Sequence, residues 1–570
     1  MNNASHAVRT RLFRVVEGKI TTPGTIGGKR ERDEMRGLLM RTERSTFLLG
    51  AVSFSLFLMA GCGGGISSTG STPPPVTGAV TPTVTVTASP AGSVSTAQAL
   101  SVAIAVSSSS GTPPGSVVVS SGNYASFPAN VSAGQALISV PAALLAVGTD
   151  TLTANFTPTN PSSYNSASGT ANVTVVASGA PAPVVTASSV TYSTGGYGSP
   201  FRALPLTSGN VLVSVTAATS GMLVFGPAAG GGLQLSCFNY VRPAFVHDGA
   251  SDFGMNLTPN GFGLAATLGV DGAIFYNLST LQTCTSTGLQ VSQGSVASDQ
   301  GSFDIAVTPD GKYAFVANEY GVATGAATEG NIGVIALQYD STGVVTTGTT
   351  LVGQISTGGQ TIAGVTISPD GSRLYSTSEV EGTVTTAAAG SNPILTRTGC
   401  YQQAGGGTQA NGLLTVIDVA KAETNPSSAA ILATVNAGCS PVRAVESADG
   451  STLWVSARGD NRVLAFSTGM LEINPGNALL GYADTGGTAP VGLRLFDSGK
   501  LLAVANSNRF GTGNANATVL SVAVPAAGSV VQTIPTGLFP REITVGGDDQ
   551  TLYLTNYNSG SFQVISTTVQ

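Results

Sequence analysis

The sequence predicts an all-β protein in which a small β-sandwich is followed by a seven-bladed β-propeller. Short runs of β-favouring residues alternate with Gly, Pro, Ser and Asn turns across residues 84–177, and a longer phrase recurs about every fifty residues across 178–570. The composition agrees, since only 9% of the 570 residues are charged, 74 are glycine and 42% are hydrophobic. A chain with so many apolar residues can bury a core, which disfavours wholesale disorder.

Charge and histidine content disfavour several classes of function. Residues 63–570 contain 13 basic and 24 acidic residues, a net charge of −11 (13 − 24). No basic stripe is left there for a nucleic acid, so we expect no nucleic-acid partner. His6 and His247 are the only histidines in the sequence. Histidine-based catalysis and multi-histidine metal sites are therefore disfavoured, and the sequence predicts neither a metal nor a cofactor.

The N-terminal segment has the layout of an export signal. Three arginines between positions 36 and 44 precede an apolar run of 14 residues, 47–60, which ends just before Gly61-Cys62. This order is typical of a secretory signal peptide, and the run is too short for an ordinary transmembrane helix. We expect residues 1–62 to be a leader and signal peptide. Residues 63–83, rich in Gly, Ser, Thr and Pro, are expected to be a flexible linker.

Residues 58–62, Leu-Met-Ala-Gly-Cys, resemble the lipobox of bacterial lipoproteins. The resemblance implies that Cys62 is acylated and becomes the mature N-terminus, which anchors the chain to a membrane of the cell envelope. Met59 departs from the pattern, in which Leu is commonest at this point. A plain cleavage site with an incidental cysteine is the alternative. Gly63, standing where an acidic residue could be, favours the outer membrane by the same resemblance.

Residues 84–177 alternate apolar and polar residues with the period of two that half-buried strands require. The predicted strands share this alternation and lie at 83–88, 100–106, 116–120, 135–140, 150–156 and 171–176. Their number and spacing fit an immunoglobulin-like sandwich. Residues 111–117, 146–156 and 163–166 carry a resemblance to the bacterial Ig-like repeat family. The resemblance implies a spacer module, with a specific adhesin as the alternative.

The phrase that recurs across residues 178–570 consists of an apolar run, a Pro/Asp-Gly turn and a second β-run. Its clearest copies are 303–318 and 362–378. The turn positions of the seven copies are Ser208, Asn260, Asp310, Asp370, Asp449, Ser498 and Asp548, separated by 52, 50, 60, 79, 49 and 50 residues. Seven units of this length fit a propeller of four-stranded blades. The run 184–193 is expected to complete the last blade.

The pattern Pro-Asp-Gly-x-x-Ala/Leu-Tyr/Phe-Val-x-Asn resembles the signature of YVTN-type, lactonase-like propellers, over about 390 residues. The resemblance implies the propeller fold and says little about function, because some of these proteins hydrolyse sugar lactones and others bind macromolecules. Two departures matter. The sequence has no cluster of histidines and acidic residues to support lactonase chemistry, and it lacks the Trp-Asp dipeptide of WD repeats.

Aligning the repeats on their turns places one residue of each first strand at an equivalent position facing the central channel: Arg202, Gly254, Asp304, Gly364, Arg443, Gly492 and Glu542. The four charged members of this set are candidates for the polar floor of a ligand pocket. Alternatively, the arginines and carboxylates pair with one another and rigidify the channel. Long loops at 319–331, 379–411 and 506–516 are expected on the same face, and no catalytic constellation is evident.

Four cysteines follow Cys62. Cys400 lies in the long insertion and Cys439 just before the fifth repeat, so both fall on the loop face and are expected to form a disulfide in an exported compartment. Cys237 and Cys284 occupy similar points of consecutive repeats, where outer strands stand beyond the roughly 7 Å Cα limit of a disulfide. We therefore expect these two to be unpaired or weakly coupled. The spacing and the scarcity of histidine disfavour a zinc site.

Taken from the sequence, the favoured function is that of a lipid-anchored cell-envelope protein whose propeller binds a protein, a glycan or a small polar ligand without catalysis. The alternative is a lactonase-like hydrolase that acts at the loop face with acidic residues and a divalent ion. A third interpretation is an envelope scaffold that has no specific ligand.

Overall fold

The computed structural model describes residues 79–570 except for 90–92, 97, 123, 127, 141–143, 178–182, 217–220, 241–251, 269–271, 287, 293–300, 320, 322–328, 383–399, 402–407, 410, 510, 512–514 and 523–527. The predicted leader and signal peptide, Cys62, and the first part of the predicted linker lie outside the described residues. Residues 75–570 form one compact unit. In the described ranges, no helix has the length and apolar character needed to cross a membrane.

The described part of residues 79–177 forms two β-sheets that share one hydrophobic core. The strands are β1 (Thr83–Ser89), β2 (Ser93–Ser95), β3 (Leu100–Ser107), β4 (Gly115–Ser121), β5 (Tyr124–Ala125), β6 (Ala129–Asn130), β7 (Gln135–Val140), β8 (Gly148–Pro158) and β9 (Ala167–Val176). One sheet has the order β1-β3-β7 and the other β2-β9-β8-β4-β5, with β6 paired to β4. Alternate residues of β3, such as Val102 and Ile104, share the core with Leu152 and Phe156 of the other sheet. This β-sandwich follows from the alternation in the sequence.

The described part of residues 185–570 forms seven four-stranded sheets, the blades of a propeller. The first strand of this part is β10 (Val185–Ser193). Blade one then consists of β11 (Ser199–Pro205), β12 (Val211–Thr216), β13 (Gly221–Pro227) and β14 (Leu233–Tyr240), and blade two of β15 (Asp252–Leu257), β16 (Gly263–Leu268), β17 (Ala273–Asn277) and β18 (Leu289–Val291). Blade three consists of β19 (Ser302–Val307), β20 (Tyr313–Asn318), β21 (Asn331–Ala336) and β22 (Thr350–Ser356). Pairing within these blades is antiparallel throughout.

The later blades repeat this plan. Their strands are β23 (Gln360–Ile367), β24 (Arg373–Val380), β27 (Leu413–Asp418), β28 (Ile431–Asn436) in blade four; β29 (Pro441–Glu446), β30 (Thr452–Ala457), β31 (Arg462–Ser467), β32 (Leu479–Asp484) in blade five; β33 (Pro490–Phe496), β34 (Leu501–Asn506), β35 (Asn516–Ser521), β36 (Ser529–Pro535) in blade six; and β37 (Pro540–Val545), β38 (Thr551–Asn556), β39 (Ser561–Val569) in blade seven. β25 (Cys400–Tyr401) and β26 (Thr408–Gln409) pair inside the insertion of blade four.

Short helical segments connect some of these strands. The α-helices Leu278–Gln282, Val419–Thr424 and Thr468–Ile473 follow the third strands of blades two, four and five. Single 3₁₀ turns lie at Ser428–Ala430, Arg458–Asp460, Pro475–Asn477 and Tyr557–Ser559. In blades three, four and six, the long connection joins the second strand to the third. The three predicted loops therefore leave their blades at the same end.

The seven blades close into a ring. The innermost strand of each blade contacts that of the next, in the order β11, β15, β19, β23, β29, β33 and β37, and β37 in turn contacts β11. β10 pairs antiparallel with β39, from Val185 opposite Val569 to Ser193 opposite Ser561. An early strand therefore supplies the outer edge of the blade that the C-terminal strands build, as the run 184–193 predicted. We call this pairing of β10 with β39 the clasp.

The turn between the first and second strands has a local chemical cause. The Asp310 carboxylate accepts hydrogen bonds from the Thr308 hydroxyl, at 2.7 Å, and from the Lys312 amide, at 3.0 Å. Gly311 then adopts a φ of +74°, in the left-handed region that favours glycine. Asp370 and Gly371 repeat this arrangement in the next blade. The recurring Asp-Gly dipeptide is thus a turn device, which explains its presence without a functional role.

Two disulfides tie neighbouring blades together. Cys400 and Cys439 are bonded, with their Cα atoms 5.5 Å apart, which joins the insertion of blade four to the start of blade five. Cys237 and Cys284 are also bonded, with a Cα separation of 6.0 Å. The expectation that this second pair is unpaired was wrong.

The cause of that error is the helix Leu278–Gln282. It directs the chain of blade two back toward β14 of blade one, so Cys284 does not stay on an outer strand. The approach is held by polar contacts, because the Asn239 side-chain amide donates to the Leu281 carbonyl at 2.8 Å. The side-chain oxygen Oε1 of Gln282 likewise accepts hydrogen bonds from the Ser208 hydroxyl and the Asn210 side-chain amide, both at 2.8 Å.

The sandwich contacts the fifth blade. Ala125 of β5 belongs to the same core cluster as Leu453, Phe466 and Met470 of that blade. A Cβ atom at Gly469, in the helix Thr468–Ile473, would clash with the Ala125 carbonyl oxygen. The absence of a side chain at this glycine is therefore what lets the backbones of the two modules approach so closely.

The clasp can be tested with two valines of β10. Val185 is 4% exposed and shares a core cluster with Leu552 and Ile565, whereas Val190 is 56% exposed. We expect Val185→Asp to lower the free energy of unfolding by more than about 3 kcal/mol, because it places an unpaired carboxylate in the core. Val190→Asp is the matched control and should change it by less than about 0.5 kcal/mol. Urea unfolding measures both, and equal effects would contradict the role of the clasp.

Candidate functional site

Each innermost strand departs from regular pairing close to its channel-facing residue. The register shifts lie at 200/203, 252/255, 302/304, 362/364, 441/444, 490/493 and 540/543. A β-bulge of this kind places two residues opposite one on the neighbouring strand and so re-aims a side chain. Because the shift recurs in all seven blades, it places the aligned residue of each blade in an equivalent position toward the axis.

The four charged residues predicted to face the channel meet at the axis and form ion pairs. Arg202 Nη2 lies 3.1 Å from Asp304 Oδ1 and 3.4 Å from Glu542 Oε2. Arg443 Nη2 lies 2.5 Å from Glu542 Oε1, and its Nε lies 3.9 Å from Asp304 Oδ2. Positive and negative groups therefore alternate around a closed, neutral set, which we call the axial ring. None of the four side chains is more than 4% exposed.

The three glycines of the aligned set make room for the axial ring. A Cβ atom at Gly254 would lie 2.7 Å from Asp304 Cα, and one at Gly492 would lie 2.6 Å from the Arg541 carbonyl oxygen. At Gly364 it would lie 2.5 Å from the Val442 carbonyl oxygen. Contacts this short are forbidden to real side chains. Blades two, four and six thus contribute no side chain, and blades one, three, five and seven contribute the charges.

Backbone groups supply further partners for the axial ring. Arg202 Nη1 donates to the Met255 carbonyl at 2.9 Å, and Arg443 Nη1 donates to the carbonyls of Ala363 and Val442. The Val365 amide donates to Asp304 Oδ2 at 3.3 Å. Buried charges persist only when they are paired and hydrogen-bonded in this way. The arrangement therefore agrees with the interpretation that the four charges pair with one another.

The protonation of the axial ring follows from its geometry. Burial alone would raise the pKa of Glu542, but the adjacent Arg443 and Arg202 guanidinium groups outweigh it, so this pKa is lowered. Burial also disfavours the charged form of Arg202, yet Asp304 and Glu542 raise its pKa above the ordinary value. Both groups are therefore ionised near neutral pH, and Glu542 is held as an acceptor.

Two arginines that sequence reasoning missed lie next to the axial ring. Arg494 is two residues beyond Gly492 on β33, and burial, then repulsion from Arg202, lowers its pKa to about 10. Arg541 immediately precedes Glu542, and burial lowers its pKa to about 10 as well. The alignment contained the signal for both, because they neighbour channel-facing positions. An alignment that takes one residue from each blade leaves such neighbours out.

Arg541 is surrounded by aromatic rings. Its guanidinium carbon lies 4.3, 5.2, 5.4 and 5.1 Å from the ring centroids of Phe201, Phe303, Phe539 and Tyr557. These rings come from blades one, three and seven, so the cluster forms only when the propeller closes. Its Nε is buried and has no hydrogen-bond partner. We call these four rings and Arg541 the aromatic cage.

Polar residues also lie at the ends of the second strands, at the end of the blades from which the long loops leave. The register places Thr216, Glu319, Glu379, Arg458, Ser507 and Tyr557 at equivalent positions. Arg458 makes a two-pronged ion pair with Glu379, at 2.8 and 2.6 Å, and the Thr216 hydroxyl donates to the Tyr557 hydroxyl at 3.0 Å. We call this face of the propeller the loop face. Each of these residues lies within the last two positions of its second strand or directly after it.

The basic residues of the chain are concentrated at this site. Six of the 13 basic residues in 63–570 lie on or near the axis: Arg202, Arg443, Arg458, Arg494, Arg509 and Arg541. Acidic residues accompany them in the described structure, among them Asp304, Glu319, Glu379, Asp460 and Glu542. Residues 63–570 as a whole carry a net charge of −11, so about half of the basic residues of this part of the chain are gathered around the axis, where they lie among carboxylates.

The described residues contain no group of three or more His, Cys, Asp or Glu side chains arranged to hold a metal ion. The carboxylates nearest the axis are instead engaged by arginines. The chemistry that this arrangement offers is therefore the binding of anionic or polar groups through guanidinium donors.

The chain is similar to several proteins of known structure. No family model matches the sequence, and no curated protein is similar to it. The chain is similar to the periplasmic gluconolactonase PpgL of Pseudomonas aeruginosa, with 18% identity, a TM-score of 0.43, and coverage of 61% of this chain and 89% of that one. The β-propeller domain of Cps50 (Swd1) from Myceliophteria thermophila is 11% identical to this chain, with a TM-score of 0.42 and coverage of 68% of this chain and 100% of that one. A functionally unknown protein of Desulfotomaculum acetoxidans is 13% identical to this chain, with a TM-score of 0.39 and coverage of 59% of this chain and 85% of that one.

The pairing in the axial ring predicts that neutralising one of its four charges strongly lowers the free energy of unfolding. Glu542→Gln leaves two buried arginines short of a carboxylate, so we expect it to lower the free energy of unfolding by about 3–5 kcal/mol at pH 7. Asp484→Asn is the control, since Asp484 pairs with Arg462 at 2.8 Å but its side chain is 76% exposed. That variant should lose less than about 1 kcal/mol.

The loss of stability caused by Glu542→Gln depends on pH. The folded-state pKa of Glu542 is lowered, so its stabilising contribution is present above its ordinary value of 4.5 and is lost as the pH falls through the folded-state value. The stability difference between wild type and Glu542→Gln should therefore shrink as the pH falls below 4.5. Urea unfolding from pH 7 to pH 3 measures it. A difference that stays constant over this range would contradict the ionised ring.

Proposed function

We propose that this chain is a lipid-anchored protein of the cell envelope whose propeller is a non-enzymatic binding scaffold. In this proposal, residues 1–62 direct export, and Cys62 is acylated and holds the chain in the membrane, favouring the outer membrane. Residues 63–83 are the tether, 84–177 are an Ig-like spacer, and 178–570 are the YVTN-type propeller. The loop face then presents the binding surface for a protein, a polysaccharide or a small polar ligand.

One observation carries the binding function, namely the neutral and closed axial ring. A general acid or base must exchange protons with a substrate and works best with a pKa near the operating pH. The Glu542 carboxylate has a lowered pKa and lies between two arginines, at 2.5 and 3.4 Å. Such a carboxylate suits a rigid hub better than a catalytic group. The ring therefore supports a fixed platform, on which the residues of the loop face recognise a partner.

The alternative is a lactonase-like hydrolase acting at the same face. One experiment on the full chain, purified in detergent, distinguishes the binding scaffold from the hydrolase. We expect saturable binding to at least one member of a panel of envelope polysaccharides, uronic acids and neutral sugars, measured by calorimetry. We expect no ring opening of aldonolactones, measured by proton release with and without Ca²⁺ or Mg²⁺.

Turnover of a lactone above the uncatalysed rate would overturn the binding scaffold and favour the hydrolase. The absence of binding across the panel would overturn it in favour of a scaffold without a ligand. The double variant Arg202→Ala/Arg443→Ala tests the axial ring as a ligand floor. Because both arginines are buried and lie within ion-pair distance of Asp304 and Glu542, the effect of the double variant on binding should be no larger than its loss of folded protein, which thermal unfolding records in parallel.

Lipid anchoring has its own test. Cys62→Ser removes the only thiol in the lipobox-like sequence, so we expect the variant to incorporate no radiolabelled palmitate and to leave the membrane fraction. Ser67→Ala, in the adjacent tether, is the control and should be labelled like the wild type. Labelling that survives Cys62→Ser would contradict acylation at this cysteine, and a labelled chain recovered from the inner membrane alone would contradict outer-membrane sorting.

A further inference from the structure

The charges around the channel are not equally satisfied, and Arg541 is the exception nearest the loop face. Arg202, Arg443 and Arg458 each lie within ion-pair distance of a carboxylate. Among the described residues, Arg541 has no ion pair. Its Nε is buried without an acceptor, as are the Nε atoms of Arg202, Arg443 and Arg458, but those three arginines have carboxylate partners and Arg541 has none. The rings that surround it stabilise the cation through their faces, but aromatic faces cannot accept its in-plane N–H groups as an oxygen does.

The position of Arg541 makes it available to a ligand. On β37 it precedes Glu542 and therefore lies one residue nearer the end where the strand begins, which is the end of the second-to-third-strand connections. Tyr557, one of its cage partners, belongs to the loop face itself. Arg541 is thus half-buried on the side of the axial ring that faces the loops, and we call this part of the axis the mouth of the channel.

We propose that the mouth of the channel binds an organic carboxylate, which Arg541 holds with the in-plane donors of its guanidinium. This site rests on the proposed binding function and specifies its ligand class. A carboxylate is planar and can accept two parallel N–H bonds from an arginine. The cage presents Phe303 and Tyr557, which are only partly buried, beside the guanidinium. A ligand that combines a carboxylate with a ring, such as a uronic acid, fits both features.

The surrounding field favours such an anion. Burial is the largest cause that lowers the pKa of Arg541; Arg509 and Arg443 lower it further by repulsion, whereas Tyr557 and Glu542 raise it. A bound carboxylate would place a negative charge beside these three arginines and would give Arg541 the ion pair that it lacks among the described residues. The axial ring cannot do this, since its two carboxylates are already engaged by Arg202 and Arg443.

Two substitutions of Arg541 test the proposal, together with a matched control. Arg541→Gln removes the charge and keeps a planar amide, whereas Arg541→Lys keeps the charge and loses the forked geometry. The control is Arg462→Gln on blade five. Arg462 also stacks on an aromatic ring, with its guanidinium carbon 4.2 Å from the Tyr482 centroid, but it already pairs with Asp484 and lies on β31, the third strand of its blade and away from the axis.

The measurement is isothermal titration calorimetry of the full chain with D-glucuronate, at constant ionic strength. D-glucose supplies the ring without the charge, acetate the charge without the ring, and inorganic phosphate and sulfate a different anion geometry. We expect glucuronate to bind the wild type and glucose not to bind. Arg541→Gln should weaken glucuronate binding about 10- to 100-fold, Arg541→Lys should weaken it less, and Arg462→Gln should leave it unchanged.

The outcomes that would overturn the site are distinct from those that would overturn the binding scaffold. Unchanged glucuronate binding in Arg541→Gln, equal binding of glucose, or binding of phosphate or sulfate as tight as that of glucuronate would each overturn the carboxylate site. So would an absence of glucuronate binding in a wild-type chain that binds a neutral polysaccharide, and the binding scaffold would then stand. Circular dichroism of the variants identifies any loss of fold, and Arg541→Lys, which retains the buried cation, keeps the test decisive if Arg541→Gln is unstable.

Discussion

The ion pairs at the axis are the constraint on which the rest of the propeller depends. Two arginines and two carboxylates from blades one, three, five and seven alternate in sign, so each charge is neutralised by two neighbours. Because they are buried, none of them is tolerable alone. The innermost strands must therefore meet in one arrangement, and the bulges that recur in all seven blades set that arrangement by turning the four side chains inward.

Closure of the ring and pairing of the charges support each other. The clasp between β10 and β39 joins a strand early in the propeller to its C-terminal strand and brings blade seven beside blade one. Only then do Glu542 and Arg202 approach to 3.4 Å and Arg541 reach the rings of Phe201 and Phe303. The two disulfides add links between neighbouring blades nearer the periphery. The site is thus a property of the closed ring and not of any single blade.

The paired charges at the axis and the unpaired Arg541 beside them differ in what they offer a partner. The axial charges are balanced by one another, whereas Arg541 has no ion pair among the described residues. The proposed carboxylate site uses this difference in a chain whose net charge is negative. Its few basic residues are gathered where the strands converge, and its acidic residues are mostly elsewhere.

The sequence by itself determined the repeat, the turns, the clasp strand and the charged residues that face the channel, because each is a local pattern or an equivalent position in aligned repeats. The tertiary structure alone decided three things. It paired Cys237 with Cys284 through a helix that redirects the chain, it joined the four axial charges to one another, and it placed Arg541 among rings from three blades. Contacts of this kind link residues that are tens or hundreds of positions apart, and no local pattern records the distance between them.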